Sequence, residues 1–95
     1  MAKFKEVTHN PGHFMFDCPG CHMAHEINTN TGNNEPVWGF NFDMEKPTVT
    51  PFIRVRWPER GVEKTCHSYV TNGRIEFLSD CTHELAGKTV ELPDF

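Results

Sequence analysis

The residues best suited to chemistry lie in the stretch FDCPGCHMAHEI, residues 16–27, where two histidines closely follow two cysteines. Cys18 and Cys21 flank a Pro-Gly turn, and such a turn directs both sulfur atoms to the same side, as in a zinc knuckle. The same letters also match the haem-attachment spelling C-x-x-C-H and a bare redox C-x-x-C pair. The rest of the chain must discriminate between these three types of site.

A second pair of cysteines favours zinc. Cys66 and Cys81 bracket a segment in which Asn72-Gly73 separates two runs of alternating apolar residues, the pattern of a hairpin with a type I′ turn. In that register the two cysteines become diagonal neighbours at the open end of the hairpin. Four thiolates close a tetrahedral site, which makes the zinc structural rather than catalytic. The alternative fourth ligand is His83, which follows the strand.

The haem and redox interpretations lack their usual context. Haem attachment requires export, yet the N-terminal residues MAKFKEVTHNPGH contain no apolar core of a signal peptide. No apolar run approaches the ~20 residues that span a bilayer. We therefore expect a protein without a membrane span that stays in the cytoplasm in which it is made. Cysteines are kept reduced there and more often bind metal than form disulfides.

Length and charge limit the class of protein. A chain of 95 residues predicts one domain over residues 1–95, and a core this small often needs a metal or a disulfide. The net charge of −4 argues against nucleic-acid binding, which needs a basic surface. A nucleic-acid-binding zinc ribbon remains an alternative, because five basic residues fall in one region of the chain: Arg54, Arg56, Arg60, Lys64 and Arg74.

The fold class follows from the apolar periodicity. Long helical periodicity is absent, and strand-like alternation recurs over residues 13–17, 24–28, 38–42 and 52–57. Residues 57–64 look like a loop, and the tail allows one helical turn ending near Gly87. The pattern predicts a mainly β fold: a small zinc-stapled antiparallel domain made of a zinc-ribbon-like knuckle and a β-hairpin.

The hairpin register also predicts on which face His67 lies. Side chains alternate between faces, so Cys66 lies on the apolar face, whereas His67 lies on the opposite face with Tyr69 and Asp80. A histidine beside a carboxylate is the minimal acid/base pair. A small metal-dependent enzyme using His67, Asp80 and His83 is therefore an alternative, although we favour a solvated polar face. His22 and His25 are interpreted as ordinary residues of the knuckle loop.

Three segments resemble a known family: CPGCHMAHEI, KPTVTPFI and the stretch from Cys66 to Pro93. Together they are similar to the DUF6527 family, small proteins of unknown function from bacteriophages and prophages, over residues 14–93. The most specific block runs from Gly73 to Gly87. Members of that family can carry serine where this chain has Cys81, which favours His83 as a ligand. They also carry Pro-Ser where this chain has a phenylalanine, Phe52, so a role for that serine does not carry over.

Small size, an acidic balance and the phage resemblance together predict a function. We expect a phage accessory protein in which zinc is structural and the surface binds a host protein. Inhibition of a host defence protein is one action that fits this description. Nucleic-acid binding and metal-dependent catalysis are the alternatives.

Overall fold

The computed structural model describes residues 2–95 and contains two antiparallel sheets. The first sheet has the order β1-β2-β3, with β1 at Lys5–Glu6, β2 at His13–Cys18 and β3 at Met23–Asn28. Cys18 pairs with Met23 at the closed end of the β2–β3 hairpin. The strands predicted on either side of the CPGC turn are therefore confirmed.

The second sheet has the order β4-β5-β6-β7-β8 and is also antiparallel. Its strands are Gly39–Phe40, Val49–Glu59, Val62–Thr71, Arg74–Phe77 and Thr89–Glu91. The mainly β, antiparallel fold class is thus confirmed. In the described part of the chain, no helix has the length and apolarity that a membrane crossing requires.

The β6–β7 hairpin has the predicted register. Asn72 and Gly73 both adopt positive φ, 53° and 83°, as a type I′ turn requires. Val70 pairs with Ile75, and Ser68 with Phe77. The apolar side chains of this hairpin consequently face the core, and Cys66 faces it with them.

Two expectations about local structure were wrong. Residues 57–64 are not a loop, because β5 and β6 continue to a two-residue turn at Arg60-Gly61, with φ of 53° and 78°. Arginine seldom adopts positive φ, so Arg60-Gly61 did not resemble a two-residue hairpin turn. The expected helical turn before Gly87 is a series of tight turns, in which the Ala86 N–H donates to the His83 carbonyl at 3.2 Å.

Both sheets contribute to one hydrophobic core. Phe4 stacks on Phe16 of β2 with ring centroids 4.9 Å apart. Each fully buried apolar side chain contributes about 1.5–3 kcal/mol to folding. Three cysteines lie in the same cluster, which places the metal-ligand candidates inside the molecule and not in a peripheral loop: Cys18, Cys66 and Cys81.

Strand β5 has an irregularity that shapes the outer face of the second sheet. Val49 pairs with Val70 but Ile53 pairs with Ser68, so the register shifts by two around Pro51-Phe52. The shift leaves Phe52 on the outer face, where its ring approaches those of His67 and Tyr69. Beyond this point β5 pairs with β6 alone, so its second edge is open from Ile53 to Glu59 among the described strands.

Candidate metal centre and histidine–aspartate pair

The turn between β2 and β3 has the geometry of a knuckle. Its closing hydrogen bond runs from the His22 N–H to the Cys18 carbonyl at 2.9 Å, and His22 takes positive φ, 59°. The Cys21 N–H donates to the Cys18 sulfur at 3.5 Å. The turn therefore gathers two thiols at one end of the first sheet.

A third thiol comes from the other sheet. The Sγ atoms of Cys18 and Cys66 are 3.8 Å apart, and both residues are almost completely buried. A tetrahedral ion with bonds of about 2.3 Å to sulfur sets its sulfur ligands about 3.8 Å apart. The observed separation is the one that such an ion requires, and Cys66 faces the knuckle as its register predicted.

The fourth donor beside these thiols is His25, which the sequence had suggested to be a loop residue. His25 instead lies in β3 opposite Phe16 and is only 4% exposed. Its Nε2 is buried and has no hydrogen-bond partner among residues 2–95. An unpaired buried nitrogen costs about 1–3 kcal/mol unless a partner satisfies it. The donor atoms of Cys18, Cys21, His25 and Cys66 all lie within 4.8 Å of one another, a Cys3His set that fits one metal ion.

Cys81 and His83 form a second group with Cys66. Their donor atoms also lie within 4.8 Å of one another, and the His83 Nε2 is 3.5 Å from the Cys66 sulfur. The hairpin thus brings both predicted candidates to Cys66, which belongs to both groups. The Cys81 thiol donates to the His67 carbonyl at 3.2 Å. Burial lowers the pKa of His83, which favours its neutral form.

The three clustered thiols interact strongly when no cation is present. Hydrogen bonds from the Cys21 and Cys66 thiols lower the pKa of Cys18. The same interaction with Cys18 raises the pKa of Cys66 and raises that of Cys21 to about 12. These shifts oppose the deprotonation of Cys21 and Cys66, and a divalent cation bound between the sulfur atoms would favour it.

A histidine–aspartate pair stands on the opposite face of β6. The Nδ1 atom of His67 lies 3.2 Å from the Asp80 carboxylate, so Asp80 fixes the imidazole with its proton on Nδ1. The Nε2 atom is buried and has no hydrogen-bond partner among the described residues. The Phe52 ring packs edge-on against the imidazole, with centroids 4.8 Å apart. His83 is not part of this pair, since it lies beside Cys66 and the Phe77 ring.

The two serines of the chain are both separated from this pair. Ser68 follows His67 in β6 and therefore points to the opposite face, where it is fully buried. Ser79 lies in the turn after β7. Neither hydroxyl makes a hydrogen bond to His67 in the described part of the chain. Among residues 2–95 the imidazole therefore has an orienting carboxylate but no serine hydroxyl bonded to it.

Two of the five basic residues, Arg56 and Arg74, face carboxylates. Arg56 forms an ion pair with Glu63, and the Arg74 guanidinium lies 3.6 Å from Glu91. The carboxylates offset the positive charge with which these arginines would contact the phosphates of a nucleic acid.

Comparison with known proteins adds one finding. The model of a family described as a bacterial ubiquitination-like system serine protease, BubE, matches residues 2–78. The match includes the knuckle, Cys66, His67 and Phe52, and it ends before Asp80. No curated protein and no solved structure matches the chain significantly.

Proposed function

The chain belongs to the BubE family, and from this premise we propose that it is a non-cleaving binding module of a bacterial ubiquitination-like system. In this proposal it binds the protein on which a protease of that family acts. The observation that carries the proposal is the Phe52 ring packed on His67, because a serine protease needs its hydroxyl beside that imidazole.

The outer face of the second sheet offers a surface for an extended segment of a partner. The open edge of β5 presents unpaired backbone groups from Ile53 to Glu59, the arrangement by which a sheet accepts an added strand. Phe52 and Tyr69 stand at one end of it and are 42% and 41% exposed. Large half-exposed aromatic side chains are frequent anchors of protein interfaces.

Binding without cleavage would make the chain an inhibitor. A protein that occupies the partner of a protease and does not turn it over withholds that partner from the pathway. The resemblance to a phage and prophage family supports this direction of action, from an invading element onto a host system. A host-directed accessory protein of this kind is the role that we propose.

The metal that we propose for the Cys3His set is zinc. Three thiolates and one imidazole are borderline-soft ligands that suit a tetrahedral Zn²⁺ ion, and four protein ligands leave no position for water. The ion would hold Cys18, Cys21 and His25 of the first sheet against Cys66 of the second. Its role is therefore to maintain the fold that presents the outer face.

The test uses a purified ubiquitin-like protein and an active protease of the BubE family. We expect the chain to bind the ubiquitin-like protein in calorimetry, to leave its mass unchanged, and to slow its cleavage by the protease. Tyr69→Ser should weaken binding about tenfold or more, as loss of an interface anchor does. Val62→Ser, an exposed apolar residue at the far end of β6, is the matched control. Absence of binding, or cleavage by the chain alone, would overturn the proposal.

A further inference from the structure

We propose that the open edge of β5 receives a short antiparallel strand of a partner protein, in which acidic side chains alternate with apolar ones. The inference rests on the proposed function, in which this edge accepts an extended segment of a partner. It goes further, because it defines the residue pattern of that segment, its extent and the backbone groups of β5 that bind it.

The backbone of Arg54 faces away from β6. Arg54 pairs with His67, and the two residues of an antiparallel pair direct their N–H and C=O groups either toward each other or away from each other. His67 directs its groups to the other side, because its N–H donates to the Cys81 sulfur at 3.2 Å and its carbonyl accepts from the Leu78 N–H at 2.9 Å. The N–H and C=O of Arg54 consequently point to the open edge, where no described strand pairs with them.

Arg56, two residues further along β5, has the same orientation. Its partner in β6 is Thr65, and Thr82 occupies both backbone groups of Thr65 from the far side. The Thr82 N–H donates to the Thr65 carbonyl at 3.0 Å, and the Thr82 hydroxyl accepts from the Thr65 N–H at 2.9 Å. Arg54 and Arg56 therefore offer their donors and acceptors at the regular spacing that an added antiparallel strand needs.

Two residues limit the extent of the added strand. The Trp38 indole N–H already donates to the Phe52 carbonyl at 3.0 Å. At the other end, Pro58 has no N–H to donate. Continuous pairing with a partner strand is thus confined to residues 53–57.

The side chains of this segment define the residue pattern of the partner. Arg54 and Arg56 are exposed on the outer face, and the surface ion pair of Arg56 with Glu63 contributes little to stability. Val55 and Trp57 are half-buried on the inner face and pack against the core. Side chains directly opposite each other on one face of a sheet interact, and opposite charges attract. A partner strand is therefore stabilised by acidic residues opposite the two arginines and by an apolar residue opposite Val55.

NMR titration of the isotope-labelled full chain measures weak binding and reports individual amides. With the peptide Thr-Glu-Val-Glu-Thr we expect the Arg54 and Arg56 amide signals to shift and their exchange with solvent to slow, since both N–H groups gain acceptors. With Thr-Lys-Val-Lys-Thr we expect a dissociation constant about tenfold higher, because two cross-strand attractions become repulsions. Equal affinity for the two peptides, or unchanged signals at both amides, would overturn the inference.

N-methylation of the peptide tests the backbone pairing separately from the charge. In the proposed register the glutamate N–H groups bond to β5, whereas the valine N–H points away from it. A methyl group on one glutamate nitrogen should therefore weaken binding about tenfold or more, because it blocks a hydrogen bond and leaves a carbonyl of β5 unpaired. The same methyl group on the valine nitrogen is the matched control and should have little effect. Equal effects at the two positions would contradict the addition of a strand.

Charge reversal in the protein gives the converse test. Arg54→Glu should weaken binding of the acidic peptide severalfold and strengthen binding of the lysine peptide. Lys88→Glu makes the same change in net charge on an exposed residue outside β5 and should do neither. If no peptide binds while the ubiquitin-like protein still binds through Tyr69, this inference fails and the proposed function stands. Peptide binding in the expected pattern without affinity for the ubiquitin-like protein would support this inference and overturn the proposed function.

Discussion

Cys18 and Cys66 are 48 positions apart in the chain, yet their sulfur atoms lie 3.8 Å from each other across the two sheets. The knuckle alone holds two thiols, and only the packing of the sheets supplies the third. A metal bound there would depend on the complete fold, and the fold would depend on the metal in return.

Removal of the third thiol should therefore release the metal. We expect Cys66→Ser to lose its zinc and to unfold, because structural zinc contributes on the order of 10 kcal/mol to small domains. His67→Ala changes the adjacent residue on the opposite face and should retain one zinc per chain. Elemental analysis and thermal melts check both variants. Metal loss from His67→Ala alone would refute the ligand assignment.

Zinc retention can also identify the fourth ligand. The buried, unpaired Nε2 of His25 leads us to expect that His25→Ala weakens zinc retention far more than His83→Ala or Cys81→Ser. The sequence had instead proposed Cys81, with His83 as its alternative. Competition with a chelator ranks the three variants. Retention by His25→Ala together with loss from Cys81→Ser would favour the cysteine.

Gly20 should tolerate no side chain. A Cβ at this position would overlap the His83 imidazole and lie only 2.6 Å from its Nδ1. We expect Gly20→Ala to destabilise the zinc-bound protein by about 1–3 kcal/mol, as overpacking commonly does. Gly32→Ala is the control, because its Cβ meets nothing closer than 3.4 Å. Chemical denaturation of both variants gives the comparison, and equal stabilities would contradict the close packing of His83 on the knuckle.

Zinc affinity should fall steeply with acid. In the metal-free cluster the interaction with Cys18 raises the pKa of Cys66 and raises that of Cys21 to about 12, which favours the protonated thiols. Zinc must displace these protons, and each costs about a factor of ten in affinity per unit decrease in pH. Chelator competition at several pH values should show a slope of more than one proton. A pH-independent affinity would mean that the thiols are not ligands.

Local sequence patterns were sufficient to predict the pairing of two strands that are consecutive in the chain. Asn72-Gly73 predicted the β6–β7 register, and that register placed Cys66 inside and His67 outside. His25 was missed because its burial depends on the register of β2 and β3, which pairs it with Phe16. Applying the alternation rule to both strands beside the knuckle would have found it.

Long-range contacts were beyond the sequence. The contact between Phe52 and His67 depends on a register shift in β5, and no residue pattern announces how such a shift redirects a side chain. For His67 and Asp80, the sequence predicted only that both lie on the same face of the hairpin. The imidazole of His67 lies close to the Asp80 carboxylate because the chain turns sharply after Phe77, where the Leu78 N–H donates to the His67 carbonyl.

The open edge of β5 also affects whether two copies of the protein can associate. An exposed strand edge is a template for pairing with identical molecules and so for aggregation. Two copies aligned antiparallel about Val55 would bring Arg54 of each opposite Arg56 of the other, and like charges directly across a strand pair repel. We therefore expect the two arginines to disfavour self-pairing at this edge, whereas a foreign strand with acidic side chains at alternate positions would meet no such repulsion.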